Sequence, residues 1–472
     1  MSAVIRLALC LAVVTTVGAC GSSSDSAAPV AQGPTPKARC GPGSRPETGL
    51  QGRVSAEDHE SGRAAQGYTC NTELVGSYTT PTALGTVGGF KVQRYVDKAG
   101  RECAYYDTTT LFPTNLLEGS IGVNVMDMSD PANPVLARRL VTPAMLSPHE
   151  SLLVSQEAGV LAAVMGNIIA YPGIVDVYDL SADCRDPQLR ASSLTGVFGH
   201  ESGMAPDGRT FYTSSVGTPT LTAVDISDPA NPRRLLTTNY RSHGLSISAD
   251  GNRAFLASAS LTGTGMVILD VSDIQSRKDD PEVREISRLT WDNMSIPQNA
   301  IPFSRDGKPY VLEFDEFASN SNTSGIPAAT GLHVGAARII DIADETEPRV
   351  ISQLRLEVHE PQHRETVAGD PGADAVTGGY AAHYCDVPTR IDPDIAACTM
   401  ILSGLRVFDI RDPHHPREIA YYNAPMEARG LFDAAPASQA VSSPAFVPER
   451  REIWYSDAYS GFYVVRVTND AW

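Results

Sequence analysis

The chain has 472 residues, in which 37 Lys and Arg face 55 Asp and Glu, for a net charge of −18. That balance, with no basic cluster, excludes nucleic acid or an anionic lipid surface as the main partner. Eight cysteines without any C-x-x-C spacing exclude a thiolate zinc site and a thioredoxin-like redox motif.

In chain order, the N-terminus reads MSAVIRLALCLAVVTTVGAC: one arginine, an apolar run short for a bilayer span, then small residues before Cys20. Val17-Gly18-Ala19-Cys20 resembles the lipobox of bacterial lipoproteins, which implies that residues 1–19 are a signal peptide and that the Cys20 sulfur carries lipid. Gly21, where an inner-membrane retention signal has aspartate, leans toward the outer membrane or cell surface. Ser, Ala, Pro and Gly dominate residues 21–37, so 20–71 reads as a lipidated cysteine and flexible tether with a short N-terminal segment. No second hydrophobic span follows. Once Cys10 and Cys20 are set aside, six cysteines remain, an even count that reads as disulfides in an exported chain.

Beyond residue 72 one unit recurs seven times. The clearest copies are GVNVMDMSDPANPVLARRL (122–140), LTAVDISDPANPRRLL (221–236), GMVILDVSD (265–273), ARIIDIADETEPRVISQL (337–354) and LRVFDIRDPHHPREIAYY (405–422). Weaker ones are IVDVYDLSADCRDPQLRAS (174–192) and GFYVVRVTND (461–470). Each joins a β-branched, alternating strand through an Asp-Pro turn to a second strand, the pattern of an antiparallel hairpin. The repeated V-x-D-[IV]-S-D-P-x-x-P core resembles the LVIVD-repeat proteins of the bacterial envelope, a resemblance that covers 72–472 and implies a β-propeller. It implies no activity, because propellers host many unrelated ones.

Upstream of most copies lie two more strands around an Asp-Gly turn, as in HGLSISADGNRAFLAS (243–258) and HESGMAPDGRTFYTSS (200–215), which completes a four-stranded blade. The expected fold is therefore all-β, a seven-bladed propeller of four-stranded antiparallel blades over 72–472. The last copy has no room for a fourth strand, whereas TELVGSYTTP (72–81) looks like a fourth strand without a blade, so pairing the two closes the ring. The repeat aspartates at 127, 179, 225, 270, 341 and 409 end the third strand and should bond turn amides.

Histidines recur at one place in this unit. His243 and His200 each stand seven residues before the aspartate of an Asp-Gly turn, His149 and His383 fall at the matching place, and the same offset reaches Asn299 and Ser442. Innermost strands line a propeller's channel, so His149, His200, His243 and His383 should converge near its axis. Their imidazoles suit one Cu, Fe, Zn or Ni ion, or they line a wet channel as hydrogen-bonding groups. The arrangement is similar to the four-histidine iron site of carotenoid-cleaving oxygenases and to the copper site of selenium-binding-protein relatives, though neither family's motifs occur. Glu150 and Glu201 follow two of the histidines and could orient the rings, an idea that strand alternation opposes. The carboxylates of EFDEF (313–317) read as a solvated or channel-lining face.

HEPQH (359–363) has the outline of a zinc-protease motif, but Pro361 breaks the helix that would bring His359, Glu360 and His363 to one metal. It belongs instead to one of the long insertions, 109–121, 316–336, 357–381 and 424–440, which share one rim with the starts of the inner strands. Residues 364–380 read as a long loop. On the blade map Cys385 pairs with Cys398, Cys103 with Cys184, and Cys40 with Cys70. The functional expectation is a monomeric, lipid-anchored binding or scaffold module that takes a protein or small molecule at this loop-rich face. The alternative is a metal-dependent oxidoreductase or lyase with its ion on the axis.

Overall fold

The computed structural model describes residues 33–79, 87–109, 121–166, 170–258, 265–320, 328–329, 331–375, 378–426 and 438–472. Residues 1–32, on which the expected signal peptide, Cys20 and the start of the expected tether fall, and much of the insertions 109–121, 316–336 and 424–440 lie outside them. Seven antiparallel four-stranded sheets form the described body. With strands lettered a to d outward from the axis, blade 1 comprises Val92–Val96, Glu102–Asp107, Val123–Asp127 and Val135–Leu140. Strands a of blades 2, 3, 4, 5 and 6 are Leu153–Ser155, Ser202–Met204, Leu245–Ile247, Ile296–Arg305 and Tyr384–Asp386.

Blade 7 supplies Ala445–Val447, Glu452–Asp457 and Gly461–Val467, and its outer strand is Thr72–Tyr78, in a register that runs from Thr72 opposite Val467 to Tyr78 opposite Phe462. The N-terminal strand thus closes the ring, and neither terminus leaves an open edge there. Strands b and c are buried almost throughout, as in Thr210–Ser214 and Leu221–Asp225, whereas outer strands such as Arg233–Thr238 show charged residues to solvent. The apolar core is divided accordingly, one cluster per blade interface: Tyr105 with Leu161 between blades 1 and 2, Leu221 with Leu256 between 3 and 4, and Trp454 with Met126 between 7 and 1.

All six repeat aspartates accept a hydrogen bond from the amide two residues on, at 2.8–3.1 Å. Burial alone would raise the Asp409 carboxyl, but hydrogen bonds from Arg411 and Arg417 outweigh it and hold it at about 2. Against the same opposing burial, Ser181 and Arg190 hold Asp179 at about 2. Folded values below the unfolded one of about 3.9 mean that both carboxylates stabilise the fold above that pH and lose this contribution as pH falls toward 2. Thermal melts between about pH 5 and pH 2 should therefore show the melting temperature of the wild type falling more steeply than that of Asp409→Asn. Parallel curves would refute this role.

Three disulfides join Cys40 to Cys70, Cys103 to Cys184 and Cys385 to Cys398, which marks an exported chain. Cys385 and Cys398 are direct partners on strands a and b of blade 6.

The N-terminal segment differs from a tether well before residue 71. Tyr68–Cys70 adds a fifth strand to blade 6, paired with Arg417–Asn423, and the Thr35 amide already donates to the Arg355 carbonyl at 2.8 Å. Further anchors are ionic: Arg406 pairs with Glu47 and, at 3.0 Å, with Glu418, while Arg53 pairs with Asp370 at 2.8 Å. A composition argument misses such docking because few apolar residues carry it: Val54, Ala64 and Tyr68 bury against Tyr421 and Met426, and backbone hydrogen bonds, ion pairs and the Cys40–Cys70 bridge do the rest.

The insertion 357–381 is part of the same buttress. Instead of a plain loop it begins with short helical turns, Glu357–His359, Pro361–His363 and Arg364–Val367. His359 is fully buried, with Nδ1 accepting the Leu356 amide, and Glu360 pairs with Arg355 at 3.2 Å. His363 is only half-buried, at the start of the next turn. These residues hold the insertion against blade 5 and the N-terminal segment, away from the axis.

Candidate metal centre

Each axial histidine stands just ahead of its strand a, so the amides of His243 and His383 bond back to strand b, to the carbonyls of Ala257 and Thr399. The rings then meet. His149 and His200 have ring centres 4.7 Å apart, His200 and His243 4.9 Å apart, and blade 1 contributes Phe90, 4.5 Å from His149 and 4.9 Å from His383. All four histidines are at most 6 % exposed.

Second hydrogen bonds fix three of the rings. Nδ1 of His200 lies 3.1 Å from the Gly166 carbonyl, that of His243 3.0 Å from Pro297 O, and that of His383 2.5 Å from Val441 O. A carbonyl only accepts, so each Nδ1 carries the proton and each Nε2 is turned inward. Those Nε2 atoms face one carboxylate: Glu150 Oε2 is 3.3 Å from both His200 and His243, and Oε1 is 3.6 Å from His383. Glu316 adds a second carboxylate, 3.2 Å from His383 Nε2 and 3.5 Å from His243 Nδ1. Two triads, His149–Glu150–His200 and Glu150–Glu316–His383, have their ligand atoms within 4.8 Å of one another.

Glu150 reaches inward beside His149 because neither residue is yet in the strand. His149 has φ of 52°, in the left-handed region, and the alternating strand starts only at Leu153. Glu201 points deeper along the axis, where its Oε1 accepts from Lys91 Nζ at 2.7 Å and from Asn299 Nδ2 at 2.6 Å. Gly244 makes room for it: any Cβ there would collide with the Glu201 carboxylate and the Gln298 carbonyl. Ser442 stays structural, its hydroxyl accepting the Ser456 amide at 2.7 Å.

The electrostatics are those of a shared, buried charge. Burial would raise Glu150, but His149, His243 and His200 around it win and hold it well below the carboxylate range. Burial pushes His200 well below the usual imidazole value despite Glu150. For His243 burial acts downward too, yet Glu316 and Glu150 outweigh it and raise the ring to about 9.

The pattern described as the LVIVD repeat matches residues 216–240, which hold the c–d hairpin of blade 3, Leu221–Asp225 with Arg233–Thr238. The chain is a seven-bladed β-propeller that carries an LVIVD repeat. No curated protein matches its sequence. Among solved structures, a proposed 6-phosphogluconolactonase from Bacteroides uniformis is similar at 12% identity and a TM-score of 0.50, over 75% of this chain and 89% of that one. A protein from Lactobacillus plantarum gives 13% identity and a TM-score of 0.48 over the same shares. Such identities show the fold alone.

Within this propeller the zinc-protease outline gathers no metal-binding group among the described residues. Asp97, Asp183 and Cys184 also lie close together, but Cys184 is tied to Cys103 and offers no thiolate. Sequence reasoning missed Phe90 and Lys91, because blade 1 turns through Lys98-Ala99-Gly100 and so lacks the Asp-Gly marker. Glu316 had a weak signal in the acidic end of strand b of blade 5, Lys308–Glu316.

Proposed function

We propose that this propeller is an exported metalloprotein whose axial ring holds one divalent transition ion, and that the ion is the centre of an oxidoreductase or lyase. The observation that carries this reading is the set of inward Nε2 atoms facing the Glu150 carboxylate. A neutral Nε2 and a carboxylate both present lone pairs, which repel at such distances unless a cation or proton lies among them. A proton on His243 relieves one of these contacts, and those of His200 and His383 call for more.

His149, His200, His243 and His383 would hold the ion with Glu150, while Glu316 steadies His383 and His243. Mixed imidazole and carboxylate donors suit Fe, Cu, Ni or Zn, and a set larger than four departs from structural zinc, so iron is the first expectation. Such an ion, when bound, supplies Lewis-acid polarisation or electron transfer.

Elemental analysis of chain purified without affinity histidines should find about one ion per chain, lost in His200→Ala/His243→Ala while circular dichroism is unchanged. Glu150→Gln should weaken binding roughly 10- to 100-fold. Protein that stays metal-free when offered Fe, Cu, Zn and Ni would overturn the proposal.

A further inference from the structure

The donors of the ring divide into two groups about one carboxylate. His149, Glu150 and His200 form one triad, Glu150, Glu316 and His383 the other, and only Glu150 belongs to both. The ring contacts divide in the same way. His149, His200 and His243 follow one another on blades 2 to 4, with centres 4.7 and 4.9 Å apart. The His383 ring meets no other imidazole among the described residues; its neighbours are Phe90, Phe317 and Tyr384, at 4.9, 5.5 and 4.9 Å. We infer that, beside the ion proposed above, the ring seats a second divalent transition ion on His383 and Glu316, bridged to the first through Glu150.

Glu150 presents one oxygen to each group. Its Oε2 lies 3.3 Å from Nε2 of His200 and of His243, and its Oε1 lies 3.6 Å from Nε2 of His383. A carboxylate placed in this way bridges two ions about 3.5–4 Å apart, the spacing of two-metal sites. An ion with bonds of about 2.1 Å that sits closely among the first group holds His383 only at a stretch.

The second seat is itself a set of acceptors. His383 is fully buried, its Nδ1 proton is committed to the Val441 carbonyl, and its Nε2 has no hydrogen-bond partner. Glu316 Oε2 stands 3.2 Å from that nitrogen. With one ion among the first three histidines these acceptors still face one another, and a second ion satisfies them together. A proton on Nε2 is the competing occupant. Two divalent ions carry more charge than Glu150 and Glu316 neutralise, so the second should bind more weakly and be lost on purification without added metal.

The inference rests on the metal reading of the ring, and titration of metal-free chain with Co²⁺ separates the two. Calorimetry should count two ions, the second bound at least tenfold more weakly. The electron paramagnetic resonance signal per ion should fall as the second arrives, because a carboxylate bridge couples the two spins. Glu316→Gln should lose the second step and keep a first, with circular dichroism unchanged. An ion on the exposed His414 and His415 would instead survive that substitution and leave the signals additive. Saturation at one ion under excess Co²⁺, a second step indifferent to Glu316→Gln, or additive signals would each overturn the inference and leave the single ion standing. A chain that takes up no Co²⁺ would overturn both. The wild-type signal decides the matter even where the variant misfolds.

Discussion

Deleting Gly461–Trp472 should abolish the cooperative fold. Gly461–Val467 is strand c of blade 7 and pairs on both sides, with Glu452–Asp457 and with the N-terminal Thr72–Tyr78. Without it, the N-terminal strand has no partner in that sheet and Glu452–Asp457 becomes an open edge, a template for aggregation. Two core clusters fail together, since Phe462 and Val464 pack toward blade 1 and Tyr463 and Val465 toward blade 6. Four such side chains at about 2 kcal/mol each come to about 8 kcal/mol, comparable with the whole stability of a domain.

The same cut should empty the axial site. The His383 ring is oriented by the Val441 carbonyl, in the segment leading into blade 7, so an unseated blade releases one of the four imidazoles. The truncated chain should be insoluble or melt without cooperativity, and any soluble fraction should carry no metal. A soluble product with a sharp melt within about 10 °C of wild type would refute the closure argument.

That closure could be read from the sequence because it is an accounting of strands: one copy lacked a fourth strand and TELVGSYTTP lacked a blade. The positions of the histidines were legible for a related reason, the fixed distance of seven residues to an Asp-Gly turn. Side-chain direction was not. Strand alternation argued against His149 and Glu150 sharing the axis, yet His149 takes a left-handed conformation ahead of the strand, and alternation has no hold there. Lys91 and Phe90 lacked the turn that marks the other blades.

The largest single-residue effect on stability should come from Arg338, at the start of strand c of blade 5, Ala337–Asp341, opposite Glu313 on strand b. Arg338 is 1 % exposed, pairs with Glu313, and lies 2.9 Å from Asp315 Oδ2 and 4.2 Å from the Trp291 ring centre. Burial pushes Glu313 well above the usual carboxyl value, beyond what Arg338 can offset. Glu313, Asp315 and Arg338 thus form one buried, mutually dependent cluster. Asp315 Oδ2 also accepts from the Ser295 amide at 2.9 Å and Trp291 Nε1 at 3.2 Å.

Arg338→Met would strip Asp315 of its counter-charge and should cost about 3–5 kcal/mol, the usual result of orphaning a buried charge. Its sign with pH is fixed. Without the guanidinium nothing opposes the burial that raises Glu313, so the variant gains stability relative to wild type as pH falls, and the deficit narrows toward about pH 4. Denaturant melts at two pH values measure this, and a deficit independent of pH would refute it. Asp315 also precedes Glu316 on the same strand, so loosening the cluster should displace the carboxylate that steadies His383 and His243. Metal content should then fall in Arg338→Met, joining a defect in the blade to a defect on the axis.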